Sequence, residues 1–326
     1  MAINLLNIQP HKVSRDLSGY MTYIYGSGGV GKTTFGVATP KPLLLAFERG
    51  YNALPGVYAM DVNTWGDMKQ ILRELKKPEV KAAYSTVIID TVDVASQLCE
   101  KYLCSQLGIE NIGDGGWTTN GWAKVKKEWE TTFRAIAMEG YALVFISHAK
   151  DKTFKRKDGT EYNQIVPSCS TAYNEIIKNM VDIMAYVAIE DGVRKMVLRS
   201  NDDSIDCKCR FKYIAPEIVF SYQNLVDALN EAIDKEADMN NNQFVTAEKV
   251  TTIVAPVEYD YDGLMKEFGD IVQKLMAKGT TNGPKITRIV DKYLGKGKKV
   301  SDATPDQAEF IHLILEEIKD DFKAQL

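Results

Sequence analysis

The stretch "YIYGSGGVGKTTFG", residues 23–36, decides the fold of this 326-residue chain. Strand-forming residues lead into a glycine-rich run, and residues 26–33 read G-x-x-x-x-G-K-T just before a helical stretch. Glycines allow backbone amides to curl around an anion at the start of a helix, where the helix dipole favours negative charge. The motif in this strand-then-helix context predicts a loop that binds the phosphates of a nucleotide.

Two side chains of this loop have specific expected roles. Lys32 is expected to reach the β- and γ-phosphates, and the Thr33 hydroxyl is expected to ligate Mg²⁺. The alternative, a glycine turn with an incidental lysine, does not account for the flanking strand and helix. The predicted nucleotide-binding residues are Gly26, Ser27, Gly28, Gly29, Val30, Gly31, Lys32, Thr33 and Thr34.

Composition and charge exclude several other classes of protein. With 45% hydrophobic and 26% charged residues the chain is typical of globular proteins, and its net charge of −4 gives no general attraction to nucleic acid, so any polyanion site must be local. The five cysteines lack the paired spacing of a zinc site, which indicates reduced thiols. Neither a signal peptide nor a membrane-spanning apolar run is evident, so we expect a cytoplasmic protein without a membrane partner, in the host cytoplasm if it is phage-encoded.

Strand-like and helix-like stretches alternate between residues 20 and 237. Most of the strand-like stretches are continuous apolar runs, which is typical of strands covered on both faces. This alternation predicts an α/β fold with a mostly parallel, twisted sheet flanked by helices. The predicted strands are 20–26, 42–48, 85–90, 141–148, 181–189 and 194–200, and the predicted helices are 31–39, 64–76, 92–107, 121–138, 171–180 and 221–237.

The pattern changes after residue 237. Residues 238–256 are rich in asparagine and threonine and end in Pro256, which predicts a linker. Residues 257–326 then show helical periodicity, and Thr304 with Gln307 predicts a capping box at the last helix. We therefore predict an N-terminal segment (1–19), a core (20–237), the linker and a small all-helical C-terminal domain.

Two acidic residues close predicted strands. Asp90 ends "TVIID", four strand-forming residues and then an acid, which predicts a second metal ligand; capping of the following helix at Thr91 is a compatible alternative. Glu48 ends "LLLAFE", and an acid at the carboxyl end of such a strand faces the ligand edge of the sheet. Glu48 is the predicted group that polarises the attacking water, and a surface glutamate in a salt bridge is the alternative.

The placement of these acids resembles that of RecA-type ATPases, whose catalytic glutamate follows the phosphate-loop helix and whose metal-binding aspartate ends the next strand. Over residues 20–237 the chain more closely resembles the trimmed, phage-encoded RecA-like ATPases of the single-strand annealing type. The resemblance implies a RecA-like core that uses ATP and Mg²⁺. It also implies a sensor of the γ-phosphate at His148, where these proteins usually carry glutamine; a residue that merely caps the strand is the alternative.

RecA-like cores bind single-stranded DNA through two loops that flank the strand ending here at His148. The first loop, residues 107–122, contains Trp117, which is predicted either to stack on bases or to anchor the loop. The second is a predicted hairpin that turns at Asp158 and Gly159. Its basic and aromatic residues suit a phosphate backbone with stacked bases, although a solvated hairpin without a ligand is the alternative. The predicted contacts are Lys150, Lys152, Phe154, Lys155, Arg156 and Lys157.

The resemblance also implies assembly into a ring or filament in which one subunit acts on its neighbour's nucleotide. Lys195 and Arg199 are the candidates for this role in trans, with an exposed charge on a strand face as the alternative. The leading hypothesis is an ATP-dependent recombinase or annealing protein that binds single-stranded DNA as a homo-oligomer, with a single-strand-binding protein as a candidate partner. The alternatives are a helicase-loading or packaging motor, a small-molecule kinase, and a scaffold that binds nucleotide without hydrolysing it.

Overall fold

The structure is a computed structural model that describes residues 6, 8–239, 241, 244–250, 257–279 and 281–325. Contacts within the chain place the described residues 10–250 in one unit and those from 257 on in another. Part of the predicted linker, including residues 251–256, lies outside the described residues.

The first unit contains the elements that the alternating pattern predicts, with several short additions. Its elements in chain order are β1 (Val13–Ser14), β2 (Thr22–Gly26), α1 (Lys32–Val37), β3 (Pro42–Ala46), β4 (Ala59–Asp61), α2 (Trp65–Glu74), α3 (Pro78–Ala83), β5 (Thr86–Asp90), α4 (Val92–Leu107), α5 (Gly116–Thr119), α6 (Gly121–Met138), β6 (Ala142–Ser147), β7 (Ala149–Lys155), β8 (Glu161–Pro167), α7 (Thr171–Met180), β9 (Ile183–Glu190), β10 (Val193–Val197), β11 (Lys208–Cys209), β12 (Glu217–Val219), α8 (Tyr222–Met239) and β13 (Val245–Thr246).

The central sheet has the strand order β12-β10-β9-β2-β6-β5-β3-β4, with β11 paired to β9. The strands from β9 to β4 run parallel to their neighbours, whereas β10, β11 and β12 form an antiparallel edge. The predicted α/β fold with a mostly parallel sheet and flanking helices is confirmed. Because parallel strands share one carboxyl edge, residues that follow β2, β3, β5 and β6 meet there.

Burial on both faces of the sheet explains why its central strands are continuous apolar runs. In β5, Val87 and Ile89 pack in one hydrophobic cluster with residues of α4 and α6. Ile88, between them, packs in a second cluster with residues of α1 and α8 on the other face. Alternate side chains of a strand point to opposite faces, so a strand covered by helices on both sides needs apolar residues at every position.

The first unit extends beyond the predicted core boundaries at residues 20 and 237. Strand β1 pairs in parallel with β13, and the Ser14 hydroxyl donates to the Glu248 carbonyl at 2.6 Å. The described part of the predicted linker and the segment before residue 20 therefore pack with the core. Pairing between strands more than 200 residues apart leaves no local pattern in the sequence, which is why the prediction missed it.

The second unit is helical in its described residues, as the periodicity predicts. Its helices are α9 (Tyr261–Lys278), α10 (Asn282–Leu294) and α11 (Ala308–Asp321). They enclose a separate hydrophobic cluster that includes Leu275, Ile289 and Ile311. The predicted capping box is present in the 3₁₀ turn just before α11, where the Thr304 amide donates to the Gln307 side chain at 3.1 Å.

All five cysteines carry free thiols, three of them buried in the core. Burial raises the pKa of Cys99 and Cys169, so these thiols stay protonated near neutral pH. Within the described ranges, no group of three or more His, Cys, Asp or Glu side chains is arranged to hold a metal ion. Of the helices described, none is both long enough and apolar enough to cross a bilayer.

Candidate nucleotide-binding site

The predicted phosphate loop connects β2, a central strand, to α1. At Gly26 the backbone passes so near β9 that a Cβ would lie 2.3 Å from the carbonyl oxygen of Val187. Gly31, just before α1, has a φ of 98°, a left-handed conformation that favours glycine. No described residue lies within 4 Å of where a Cβ would stand at Gly28 or Gly29. The loop thus leaves room for phosphate oxygens against its own backbone.

The Lys32 side chain is buried within this loop. Its ammonium donates to the carbonyl oxygens of Gly26, at 2.8 Å, and Ser27, at 2.9 Å. Burial lowers the pKa of Lys32, and the nearby carboxylates, first among them that of Asp90, oppose this shift. The ammonium is therefore held in the loop, where it can meet the phosphates of a nucleotide.

A hydroxyl and a carboxylate meet directly beside the loop. Thr33 Oγ1 donates to Asp90 Oδ2 at 2.6 Å, and Asp90 is the buried last residue of β5. Burial raises the pKa of the Asp90 carboxyl group, and the hydrogen bond from Thr33 acts against this shift. Both oxygens are ligands that suit Mg²⁺, which commonly takes one or two protein ligands and completes its shell with water and phosphate oxygens. The donor set therefore fits a magnesium ion that arrives with a nucleotide.

Glu48 lies two residues beyond β3, at the same edge of the sheet. Its amide donates to the Asp90 carbonyl at 3.2 Å, and its carboxylate accepts a hydrogen bond from Thr91 Oγ1 at 2.5 Å. The segment continues past Thr33, since a Cβ at Gly50 would lie 3.6 Å from Thr33 Oγ1. Among the described residues Glu48 has no lysine or arginine partner; the basic group nearest its carboxylate is the His148 ring, which forms an ion pair only when it is protonated.

His148 links this cluster to the next segment of the chain. Its Nε2 lies 3.4 Å from Glu48 Oε2, and its amide donates to Asp93 Oδ2 at 3.3 Å. The other carboxylate oxygen of Asp93 accepts a short hydrogen bond from the hydroxyl of Ser168, whose amide donates to the His148 carbonyl at 2.8 Å. His148 and Ser168 flank the base of a hairpin, so that base is tied to the edge that holds Glu48 and Asp90.

The hairpin itself is formed by β7 and β8, paired from Ala149–Pro167 to Lys155–Glu161. The chain turns over at Asp158 and Gly159, as predicted, and Gly159 has the positive φ that the turn requires. At the base, the Lys150 ammonium donates to the Ser168 carbonyl at 2.9 Å. The hairpin is thus an antiparallel arm that leaves the carboxyl edge of the sheet directly after His148.

One face of this arm combines cations with aromatic rings. The rings of Phe154 and Tyr162 stack with centroids 5.6 Å apart. The Lys152 ammonium lies 4.8 Å from the centre of the Phe154 ring, and the Arg156 guanidinium lies 4.7 Å from that of Tyr162. We call these four residues the aromatic face of the hairpin.

Besides Lys150 at the base, two further cations of the hairpin lie outside the aromatic face. Strand alternation places Lys155 on the opposite face, where its partner across the ladder is Glu161, and Lys157 lies exposed at the turn. The sequence predicts one contact surface that contains all the basic residues of this segment. In the structure these residues lie on two faces of the hairpin and at its turn. Only the aromatic face offers charge together with surfaces for stacking.

The predicted DNA contact at Trp117 lies on α5, in the loop between α4 and α6. Its side chain is fully exposed, so Trp117 does not anchor the loop. Ile112 does so instead, since it is buried and its carbonyl packs against Gly121. No hydrogen bond or ring contact among the described residues joins Trp117 to the nucleotide-site cluster, so it stays a free aromatic surface.

The two residues considered for action on a neighbouring subunit both have partners within this chain. Lys195 pairs with Glu190 and Glu217, both at 3.0 Å, and the Arg199 guanidinium donates to backbone carbonyls, including that of Phe211 at 2.7 Å. Both side chains would have to break these contacts to reach another subunit. Action of either residue on a neighbouring subunit stays a prediction.

Arg194, next to Lys195, is the cation that approaches the phosphate loop. Its Nε would lie 3.9 Å from a Cβ placed on Gly31, and the side chain is exposed. Among the described residues it has no carboxylate partner within salt-bridge distance. Consecutive side chains of a strand point to opposite faces of the sheet. The sequence alone therefore could not decide whether Arg194 or Lys195 points toward the phosphate loop.

Three more residues of the site went unnoticed in the sequence. Thr91 holds Glu48, Asp93 holds the hairpin base, and Tyr162 completes the aromatic face. Of these three residues, Asp93 is the one that the sequence could have indicated, because it is an acid three residues after Asp90, in the first turn of α4. The other two become evident only through contacts between segments that are distant in the sequence.

The phosphate loop on β2, the pair formed by Thr33 and Asp90, and the mostly parallel sheet together define a P-loop nucleotide-binding protein. Residues 18–211 match the family model described as an AAA domain (AAA_24), and the chain belongs to this family of P-loop ATPases. A similar protein is the SPbeta prophage-derived uncharacterized protein YorG of Bacillus subtilis (strain 168). It is 32% identical over 333 residues, which cover 98% of this chain and 99% of the relative.

Proposed function

We propose that this chain is an ATP-dependent protein that binds single-stranded DNA and acts in recombination or strand annealing, as a homo-oligomer. The observation that carries the proposal is the continuous set of contacts from Glu48 through His148 to the base of the hairpin. A nucleotide bound at the phosphate loop and a DNA strand bound on the aromatic face would then both act on this one set of contacts. The phage origin of the relative is in keeping with this role.

The site supports ATP hydrolysis through groups in distinct positions. Lys32, held in the loop by the Gly26 carbonyl, would bind the β- and γ-phosphates, and Thr33 with Asp90 would hold Mg²⁺. Thr33 and Asp90 would thereby position an ion whose charge would offset that developing on the phosphates. Glu48, held by Thr91, is partly open to solvent and can accept a proton from an attacking water. The His148 ring lies beside the same carboxylate, so a change in the contacts of Glu48 would reach His148.

The aromatic face supports single-stranded DNA as the partner. Unpaired bases stack on aromatic side chains, and each stacked base contributes about 1–3 kcal/mol. Lys152 and Arg156 lie over the rings of this face, so one surface can contact both phosphates and bases. Arg156 also pairs with Asp203 at 3.0 Å, and because both side chains are exposed a phosphate would compete with that carboxylate. The net charge of the chain is −4, so affinity for a polyanion must come from local surfaces such as this one.

A pair of matched variants tests the hairpin. We expect Lys152→Ala/Arg156→Ala to weaken single-strand binding by about tenfold or more, and to reduce the slope of log affinity against log salt by about 1.4, since each lost phosphate contact accounts for about 0.7. Basal ATP turnover should persist, and its stimulation by DNA should fall. Fluorescence anisotropy with a labelled oligonucleotide, and phosphate release with and without DNA, measure these effects.

The control is Lys155→Ala/Lys157→Ala, which removes the same charge from residues outside the aromatic face. We expect it to weaken binding less than about threefold, as for screened surface charges. Equal losses in the two variants would mean that the hairpin acts only through net charge. No loss in either variant would remove the hairpin as the DNA site, and turnover indifferent to DNA in the wild type would favour a motor or kinase function.

Arg194 gives a separate test of the nucleotide site. Replacement by alanine should raise the KM for ATP by about tenfold and leave kcat within about threefold, because a charged hydrogen bond contributes roughly 1.5–3 kcal/mol to binding. Lys195→Ala is the control, since Glu190 and Glu217 already neutralise that charge. An unchanged KM in the Arg194 variant would show that this side chain does not contact the nucleotide.

A further inference from the structure

The C-terminal unit has a strongly basic segment that the nucleotide site and the hairpin do not use. Residues 284–299 contain six basic side chains and one acidic side chain, in a chain whose net charge is −4. The six are Lys285, Arg288, Lys292, Lys296, Lys298 and Lys299. All six residues are exposed, and we call them the basic face.

Helix α10 presents the first half of the basic face as a single stripe. Lys285, Arg288 and Lys292 are spaced three and four residues apart, so they lie on one side of the helix. They span about 10 Å of helix at 1.5 Å per residue. The opposite side packs in the core of the unit through Ile286 and Ile289. The stripe therefore faces away from the core as a consequence of the fold.

The turn after α10 is built to hold the second half in place. Gly295 and Gly297 have φ of 97° and 80°, left-handed values that favour glycine. Asp291, the one acid of the segment, accepts a hydrogen bond from the Gly297 amide at 2.8 Å. The Asp302 carboxylate accepts another from the Lys299 amide at 3.0 Å. These contacts fix the backbone that carries the lysines of the turn.

The charges of the basic face are largely uncompensated. Lys292 pairs with Glu317 at 2.6 Å. For the other five cations no ion pair occurs among the residues that the structure describes. The Asp291 carboxylate accepts its hydrogen bond from the backbone of the turn. A concentration of cations without partners attracts an anion with several charges.

The neighbouring side chains indicate which kind of polyanion fits. The exposed residues of α10 besides the cations are Pro284 and Thr287, so the face lacks the apolar centre that a protein interface or a membrane surface requires. Tyr293, the one aromatic residue of residues 284–299, is half-buried and its hydroxyl donates to Glu317 at 2.6 Å. The Lys292 ammonium lies 4.9 Å from the centre of this half-buried ring, so the face offers contacts for phosphates and little ring surface for unpaired bases.

We infer that the basic face binds the phosphate backbone of duplex DNA. Duplex DNA carries one negative charge per about 1.7 Å of its axis, so a stripe of about 10 Å meets several phosphates. Such contacts give affinity and position without reading sequence. The inference rests on the proposed function in taking DNA as the partner. It adds a second site of different chemistry, so that one chain would hold a single strand on the hairpin and a duplex on the C-terminal unit.

The test uses the full-length protein, a labelled 30-base-pair duplex and a labelled single strand of the same sequence, with anisotropy measured over a range of KCl concentrations. In Lys285→Ala/Arg288→Ala/Lys296→Ala/Lys298→Ala we expect duplex affinity to fall by tenfold or more. The slope of log affinity against log salt should decrease by about 3.6, since each of the four lost phosphate contacts accounts for about 0.9. Single-strand affinity should change by less than threefold, and ATP turnover without DNA should not change.

The control is Lys266→Ala/Lys274→Ala on α9, compared with Lys285→Ala/Arg288→Ala. Both variants remove two exposed charges from the same unit, and melting curves of all variants establish that they are folded. The inference is overturned if the wild type does not bind the duplex, if the α9 control loses as much affinity, or if single-strand affinity falls as far as duplex affinity. Failure of DNA-stimulated turnover would instead overturn the proposed function, because that measurement does not depend on the basic face.

Discussion

Replacing Lys32 by alanine is expected to abolish ATP turnover, with a loss of at least about 10³-fold, because the variant lacks the charge that stabilises the phosphates in the transition state. The effect is large because this ammonium is buried inside the loop and bound to the carbonyls of Gly26 and Ser27. Phosphate release at saturating ATP measures it. Turnover near that of the wild type would mean that residues 26–33 do not form the catalytic phosphate loop.

A thermal shift separates this effect from misfolding. A ligand that binds only the folded state raises the melting temperature, so a non-hydrolysable ATP analogue should stabilise the wild type and leave Lys32→Ala unchanged. Without nucleotide the variant should melt at or above the wild-type temperature, since it no longer buries an ammonium whose pKa is lowered by burial. Lys124→Ala, an exposed lysine on α6, serves as the control that keeps full activity.

Glu48→Gln is expected to reduce kcat by about 10²-fold or more while nucleotide affinity stays within about threefold, because an amide cannot accept the proton of the attacking water. The substitution preserves shape, and the amide oxygen can still accept the hydrogen bond from Thr91. Single-turnover hydrolysis together with equilibrium binding of a nucleotide analogue distinguishes the two quantities. Weakened binding with kcat intact would make Glu48 a binding residue and would refute its assignment to catalysis.

The predictable part of this molecule is the part that local sequence determines. The phosphate loop, the apolar strands and the bounds of α4, α6 and α7 follow from spacing and periodicity, and the structure reproduces those three helices residue for residue. Their ends coincide with local signals, such as Gly108 in a left-handed conformation directly after α4.

The less predictable part depends on which face of an element meets a distant segment. The sequence gives adjacent cations at positions 194 and 195, and only the register of β10 between β9 and β12 turns Arg194 toward the loop and Lys195 toward two glutamates. Likewise, the pairing of Phe154 with Tyr162 selects which hairpin cations accompany aromatic rings. A one-residue change of register would reverse both assignments.

The order of the strands has a mechanical consequence for the site. Strand β6 lies between β2, which leads into the phosphate loop, and β5, which ends in Asp90. Its backbone is hydrogen-bonded to both neighbours, and its own end passes through His148 into the hairpin. One strand therefore joins the hairpin to both strands that carry the candidate nucleotide site, so a displacement of the hairpin would be transmitted to the phosphate loop and to Asp90 together.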